Sequence, residues 1–354
     1  MIYVVWFTFV FVALLIDRQG KRPVGFIRML LPLIFILLIG LRAPSVGVDT
    51  SSYYEHYYTF GQDGCPFVEV GFDWLNRFCY HNDLGISTFL IVCSLIAVAP
   101  VSIVLCKLPT KEYSIAAAMF FSMAFITLCN GVRQSMATGI FFFSTFYLIR
   151  EGQSKTKSLV YVSGILIASL FHITALLLIV FLFIWKIKIN KSLALLIYVL
   201  SFFFVFLDLS SIIPDLPLTK IGNRDFSRYE EMSYIGGASI VGFVVSTIPN
   251  VIILWKMFET KAVDKYPLVC LFVYLSFVIK NLAFGMPIVG RWTMYFVWFI
   301  YVLIAKMYYE DKNRASKLHW GILFVVYIIL TLNSYASSQN QVSPYQFVWE
   351  SVID

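Results

Sequence analysis

A dense group of polar side chains follows the apolar residues 26–41, where a membrane-crossing helix would end. Arginine can hold an anion through two parallel hydrogen bonds, and a carboxylate or an imidazole can accept a proton from a hydroxyl nucleophile. The stretch therefore indicates either an anion site with a general base, or a helix end with a capped turn and interfacial tyrosines. Its ionisable residues, all within fifteen positions, are Arg42, Asp49, Glu55 and His56.

Two further arginines follow glycine-containing turns and open apolar helices. In CNGVRQSMATG, residues 129–139, Arg133 and Gln134 begin the predicted helix. In GMPIVGRWTMYF, residues 285–296, Arg291 holds the equivalent position, with Tyr295 one turn later. Unpaired amides at a helix N-terminus carry partial positive charge, which adds to the attraction of an arginine for an anion. The alternative at both positions is an ordinary hairpin with an interfacial arginine.

His172 is a third candidate, because it lies inside the apolar run 159–185. An ionisable side chain within the membrane is costly and is therefore a functional candidate, although a packed histidine bonded to Ser or Thr is the alternative. The run is long for one crossing helix and short for two. We predict a break near residues 171–172 and a re-entrant segment, because the later loops then keep their lysines on one side of the membrane.

The elements that must position these residues are membrane helices. The chain is 60% hydrophobic and 13% charged, whereas about a quarter of the residues of a soluble domain are charged. We predict an all-α, polytopic integral membrane protein with about 10–12 transmembrane helices. It forms one domain, 1–354, with outer loops 42–83 and 209–237 and an outer tail, 336–354. The crossing helices are predicted at 2–16, 26–41, 84–106, 113–129, 134–149, 192–208, 238–257, 267–283, 291–306 and 319–335.

Most cations of the predicted outer face are arginines. Besides its positive charge, arginine has a planar guanidinium group that binds phosphate through two parallel hydrogen bonds. The chain has no phosphate-binding loop, no dinucleotide fingerprint and no Asp-x-Asp pair. We therefore expect a mechanism without a metal or cofactor, and no nucleic-acid partner. Cys65 and Cys79 share the first outer loop, and either a disulfide or two free thiols is compatible with the sequence.

Taken together, the motifs resemble those of the EpsG-like branch of the Wzy-type polysaccharide polymerases. One departure is Ile173, where we expect a proline after the histidine. The matching patterns are R-x-x-x-x-G-x-D-T-x-x-Y from Arg42 to Tyr53, E-x-G-F from Glu69 to Phe72, R-Q-x-x-A from Arg133 to Ala137, H-x-T-A from His172 to Ala175, and R-x-x-x-Y from Arg291 to Tyr295.

This resemblance implies a transferase of GT-C-like architecture in the bacterial cytoplasmic (inner) membrane, with its active site facing outward. Such a glycosyltransferase joins repeat units carried on undecaprenyl diphosphate, so donor and acceptor are both lipid-linked oligosaccharides. The product would be O-antigen, capsule or exopolysaccharide. A chain-length regulator, or polysaccharide co-polymerase, is a further expected partner besides membrane lipid.

We assign roles to the motif residues on this basis. The base is Asp49, with His172 and then Glu69 as the other candidates. The diphosphate would be bound by Arg42, Arg133, Arg291, Gln134 and Tyr295. The saccharide would be bound by Tyr53, Tyr57, Phe72, Trp74 and Arg228.

Three other classes of function fit parts of the sequence. A flippase or exporter of lipid-linked saccharide would also bind diphosphate, but it needs a path between the two faces. A membrane O-acyltransferase could use His172 as its base, which leaves the outer arginines unexplained. A scaffold without enzymatic activity is the third alternative.

Overall fold

The computed structural model describes residues 2–18, 24–150, 155–185, 187–203, 220–221, 224–225, 240–284, 287–337 and 340–350. The chain divides into two compact units, which we describe separately. Unit 1 comprises Met1–Phe183 and Ile304–Asp354, and unit 2 comprises Ile184–Leu303. The prediction of a single domain stays a prediction.

The first part of the chain folds into helices whose bounds follow the apolar runs. Two short helices, α3 and α4, lie between the second and third long ones. The helices are α1 (Ile2–Arg18), α2 (Val24–Gly40), α3 (Thr50–Phe60), α4 (Val70–His81), α5 (Gly85–Cys106), α6 (Thr110–Asn130), α7 (Val132–Arg150) and α8 (Lys155–Ser169).

The remaining elements are also helical, apart from one short antiparallel pair, β1 (Lys220–Ile221) and β2 (Arg224–Asp225). Two 3-10 helices occupy Ile173–Val180 and Arg291–Thr293. The α-helices are α9 (Phe181–Ile184), α10 (Lys191–Phe203), α11 (Ile240–Glu259), α12 (Ala262–Lys265), α13 (Pro267–Leu282), α14 (Pro287–Gly290), α15 (Met294–Glu310) and α16 (Arg314–Ala336).

The protein is an all-α polytopic membrane protein, as predicted. Helices α5, α6 and α16 are each long and apolar enough to cross a membrane, and several shorter helices are similarly apolar. Helix α5 contacts both α2 and α7 at glycines. A Cβ added at Gly40 would lie 2.4 Å from Ile91, and one added at Gly139 would lie 2.2 Å from the carbonyl oxygen of Ala97. Only glycine permits this close approach.

The predicted break in the long apolar run is present. Helix α8 ends at Ser169, a turn follows, and His172 has an extended backbone (φ −154°, ψ 110°) before the 3-10 helix begins. The Tyr161 hydroxyl donates to the Leu178 carbonyl at 2.6 Å, so the 3-10 helix folds back along α8. We call residues 155–180 the broken hairpin. Its depth in the bilayer stays a prediction.

Unit 1 has polar contacts at both ends of α6. At the start of α6, Arg28 donates to the Thr110 hydroxyl at 3.0 Å. At its end, the Asn130 side chain accepts from the Val48 amide at 2.8 Å. An α-helix rises about 1.5 Å per residue, so these two ends are about 30 Å apart. The candidate site described below lies at the Asn130 end.

The first predicted outer loop contains more structure than expected. It holds two short helices, α3, which begins directly after Asp49, and α4, which was not predicted. Helix α4 buries Phe72, Leu75 and Cys79 on one face. Cys65 and Cys79 are both buried, free thiols in the structure.

In unit 2, helices α10 and α13 are joined by polar contacts. The Tyr274 hydroxyl donates to the Ala194 carbonyl at 3.1 Å, and the Asn281 amide donates to the Ser201 hydroxyl at 3.0 Å. Arg228 and nearly all of the predicted outer loop 209–237 lie outside the described residues.

Candidate active site in unit 1

An ion pair joins two of the sequence motifs. Arg133, at the start of α7, donates from Nη1 to Oε2 of Glu69 at 2.7 Å. Glu69 immediately precedes α4, and its side chain is only 4% exposed, whereas that of Arg133 is 29% exposed. The carboxylate is thus enclosed by protein, while the Arg133 side chain keeps a surface that a ligand can reach.

The second oxygen of Glu69 contacts the broken hairpin. Oε1 accepts from the backbone amide of Ile173 at 3.3 Å, and the amide of Gly71 donates to the Leu170 carbonyl at 2.9 Å. A helix break leaves backbone N–H and C=O groups without hydrogen-bond partners in the helix. When such groups are buried, they need partners from elsewhere in the protein. Glu69 and Gly71 supply them. A Cβ at Gly71 would lie 2.8 Å from the Leu170 carbonyl oxygen, which explains the glycine.

His172 lies within this break and is half-buried. Its Nδ1 is 2.7 Å from the hydroxyl oxygen of Thr174. Because its neighbour Ile173 contacts Glu69, the structure brings the histidine motif to the same place as Arg133 and Glu69. The residue that departs from the expected proline is the one whose N–H contacts Glu69, and a proline would have no N–H to donate.

Tyr53 connects this group to Asp49. Its hydroxyl accepts from the Val132 amide, the first of α7, at 3.1 Å. Burial raises the pKa of Tyr53, and the negative charge of nearby Asp49 raises it further, whereas the positive charges of Arg133 and Arg42 lower it. Asp49 is half-buried. The Tyr53 hydroxyl therefore lies within the electrostatic field of one acid and two arginines.

Aromatic rings pack beneath the site. The ring of Phe72 lies 6.0 Å from that of Tyr53 and 5.6 Å from that of His56, and the guanidinium carbon of Arg133 lies 5.8 Å from its centre. Phe72 and Tyr57 are both buried, which leaves neither ring a face for a sugar. We therefore assign these two residues to packing, in place of the saccharide contact expected from the sequence.

Arg42 is fully buried, unlike Arg133. Its guanidinium donates to the carbonyl of Ile39 near the end of α2 and to that of Cys129 near the end of α6, and its Nε donates to Thr50 at 2.9 Å. Helix C-termini carry partial negative charge, so two of them stabilise this cation without a carboxylate. Arg42 thus holds the loop that carries Asp49, and its guanidinium has no exposed surface for a diphosphate.

The C-terminal tail holds the same loop from the other side. An antiparallel bridge pairs Arg42 with Phe347. The hydrogen bonds of the bridge run from the Ala43 amide to the Gln346 carbonyl and from the Val348 amide to the Leu41 carbonyl, both at 2.9 Å, and a separate bond runs from the Gly47 amide to the Gln341 carbonyl at 2.7 Å. These tail contacts join residues about 300 positions apart, and no local pattern in the sequence signals them.

The other predicted site residues are distributed as follows. Gln134 is buried in unit 1, and Trp74 is exposed on α4. Arg291 lies in the 3-10 turn before α15, and Tyr295 is buried one turn later; both belong to unit 2. Among the described residues, no three His, Cys, Asp or Glu side chains are grouped closely enough to hold a metal ion.

Comparison with known proteins agrees with this architecture. The fold is that of a polytopic helical membrane protein with a charged site at one end of unit 1. The family model of the EpsG family matches residues 25–347, so the chain belongs to the EpsG family and the predicted resemblance is confirmed. Membership indicates an exopolysaccharide or Wzy-like polymerase, a glycosyltransferase-like membrane protein. No curated protein and no solved structure matches the chain.

Proposed function

We propose that this protein is a polymerase that transfers a growing glycan from its undecaprenyl diphosphate carrier to an incoming lipid-linked repeat unit. The proposed site faces outward from the bacterial cytoplasmic membrane. The observation that carries the proposal is the double contact of Glu69, with Arg133 through one oxygen and with the Ile173 amide through the other. Three motifs that are far apart in the sequence meet in these two contacts.

Arg133 is the proposed diphosphate ligand. It combines an accessible guanidinium with a position in the first turn of α7, where the helix dipole also favours an anion. Arg291 and Tyr295 belong to unit 2, and their predicted part in diphosphate binding stays a prediction. Gln134 is buried beside Arg133, and we propose that it supports the arginine.

The proposed reaction is a single displacement. An acceptor hydroxyl oxygen forms a bond to the anomeric carbon of the donor sugar, while the bond from that carbon to the carrier diphosphate breaks. The hydroxyl proton passes to Asp49, which keeps an accessible surface in the loop beside Tyr53. The bonding electrons leave with the diphosphate, and Arg133 stabilises its new negative charge. No metal takes part in this scheme.

Glu69 and Arg42 have positioning roles in this proposal. Glu69 is enclosed and already shared between Arg133 and Ile173, so it orients the guanidinium rather than accepting a proton from substrate. Arg42 holds the loop of Asp49 through carbonyl contacts. His172 is the second candidate for the base, because its ring is half-buried in the same break.

Arg133→Lys tests the diphosphate role. Lysine keeps the charge but cannot make two parallel hydrogen bonds, so we expect polymer in a complemented deletion strain to fall about 100-fold at unchanged protein level. The control is Arg77→Lys, which alters an exposed arginine on α4 and should leave polymer unchanged. Normal polymerisation by Arg133→Lys would remove Arg133 from the mechanism.

The deletion strain also distinguishes a polymerase from a flippase. Loss of a polymerase leaves single lipid-linked repeat units at the outer face, where an added glycosidase can reach them in intact cells. Loss of a flippase leaves them inside. Protected single units would therefore contradict the proposed function.

A further inference from the structure

Helix α4 has an apolar stripe on the face opposite to its buried one. Val70, Trp74 and Phe78 follow one another at intervals of four residues, which places them on one side of the helix. They are 68%, 64% and 46% exposed, whereas Phe72 and Leu75 are buried on the other side. A helix outside the long apolar spans that is apolar on two faces needs a second partner for the exposed one.

The exposed stripe includes a stacked aromatic pair and has a cation beside it. The rings of Trp74 and Phe78 are stacked, with centroids 5.5 Å apart and planes 19° apart. Arg77 is exposed next to Phe78, and Phe67, just before the helix, is exposed as well. Tryptophan beside arginine, on the exposed side of a short helix, is typical of a helix that lies in a membrane interface.

The start of α4 contacts a part of the broken hairpin whose exposed residues are also apolar. Gly71 of α4 donates to Leu170, which is itself exposed, and Ile173 and Leu177 extend the exposed apolar surface along the 3-10 helix. In a polytopic membrane protein, such a surface on a helical hairpin faces lipid. We expect lipid that covers this surface to reach the exposed side of α4 as well.

We propose that α4 lies in the membrane–water interface, with Val70, Trp74 and Phe78 inserted among the lipids and Arg77 at the level of the headgroups. The partner is the phospholipid surface, and the cation favours anionic headgroups. This inference does not depend on the proposed function. It also bears on the candidate site. Glu69 and Gly71, at the start of α4, contact Arg133 and the broken hairpin, so an interface that holds α4 also holds these contacts at the same level of the membrane.

Tryptophan fluorescence of the full-length protein, reconstituted at one copy per nanodisc, tests the proposal. The probes are lipids brominated either near the headgroup or near the chain ends, and the Trp74 signal is the difference between wild type and Trp74→Phe. We expect this signal to be quenched at least twofold more by the shallow bromines than by the deep ones, and to resist aqueous iodide. The buried Trp298, read through Trp298→Phe, is the matched control and should respond weakly to both.

Quenching of the Trp74 signal by iodide, with no response to either brominated lipid, would overturn the proposal and leave the stripe for a glycan or a protein. Arg77→Glu provides a second measurement on a protein that keeps the apolar stripe. In discs rich in anionic lipid we expect this variant to lower the shallow-bromine quenching of Trp74, and in zwitterionic discs we expect little change. An equal effect in both lipids would contradict the headgroup contact.

Discussion

Two ion pairs between arginine and a carboxylate, both among the described residues of unit 1, differ in what surrounds them. In the first pair, both oxygens of Asp17 accept from Arg28, at 3.1 and 3.2 Å, and the guanidinium also donates to Thr110 and lies 4.3 Å from the ring centre of Tyr113. Arg28 is 14% exposed and Asp17 is completely buried. This arginine is surrounded by protein and holds α1, α2 and α6 together.

The pair of Glu69 and Arg133 is built differently. Glu69 divides its two oxygens between the guanidinium and a backbone amide of the broken hairpin, and Arg133 has twice the exposure of Arg28, 29% against 14%. The same two functional groups therefore hold helices together at one end of α6 and present an oriented cation at the other. The comparison predicts that the first pair contributes to stability and the second to activity.

The largest effect is expected from Asp17→Asn. This change leaves Arg28 enclosed without a countercharge, and breaking a buried ion pair costs about 3–5 kcal/mol. We expect a much lower thermal unfolding temperature in detergent. Polymer formed per molecule of folded protein should remain normal, because Asp17 lies about 30 Å from the proposed site along α6.

Glu69→Gln is the matched change at the other pair. The glutamine can still accept from the Ile173 amide but loses the charge that orients Arg133, and a hydrogen bond to a charged group contributes about 1.5–3 kcal/mol. We expect polymer to fall about 10–100-fold, with a smaller loss of thermal stability than in Asp17→Asn. If instead both variants lost stability equally and neither lost activity, the distinction between the two pairs would be wrong.

A smaller effect is expected from Ile173→Pro, which removes one hydrogen-bond donor. His172 has the extended backbone that suits a residue before proline, and position 173 is the first of the 3-10 helix, where proline is tolerated. The change should therefore keep the fold but release one oxygen of Glu69. We expect a loss of polymer of up to about tenfold, which corresponds to one hydrogen bond.

Ile173→Val keeps the amide and is the control for the change in side chain. Comparison of the two variants by polymer length and yield isolates the hydrogen bond to Glu69. A loss of activity that is the same in both variants would place the effect in the side chain and contradict the role of the amide.

The smallest expected effect concerns the field of Arg133 at His56. Burial lowers the pKa of His56, the positive charge of Arg133 lowers it further, and Asp73 partly opposes this. Arg133→Gln removes a charge that disfavours the imidazolium, so the pKa of His56 should rise towards its ordinary value. Carbon-13 NMR of the four histidines in nanodiscs, followed against pH, measures this rise. Arg28→Gln should leave the pKa of His56 unchanged.

Several features of the site were predictable from local sequence. The break at His172 follows from a run too long for one helix and too short for two, combined with the lysines that follow it. The turn at Asn130 and the helix start at Arg133 follow from the glycine and the renewed apolar pattern. Helix α4 was not predicted because a short helix is recognised from one apolar face and one polar face. In α4 the exposed face also carries apolar residues, which hides this pattern.

The apolar runs of the sequence by themselves determined that the protein is a bundle of membrane helices, because a backbone in lipid must satisfy its own hydrogen bonds. The sequence also determined which residues could carry charge. Only the tertiary structure decided which arginine is available to a ligand. Arg42 and Arg133 both adjoin helix ends, but Arg42 lies between the C-termini of α2 and α6, whereas Arg133 lies at an N-terminus beside Glu69. Carbonyl groups bind and bury the guanidinium of Arg42, and the Glu69 carboxylate orients that of Arg133. Both arrangements depend on contacts between segments that are distant in the chain.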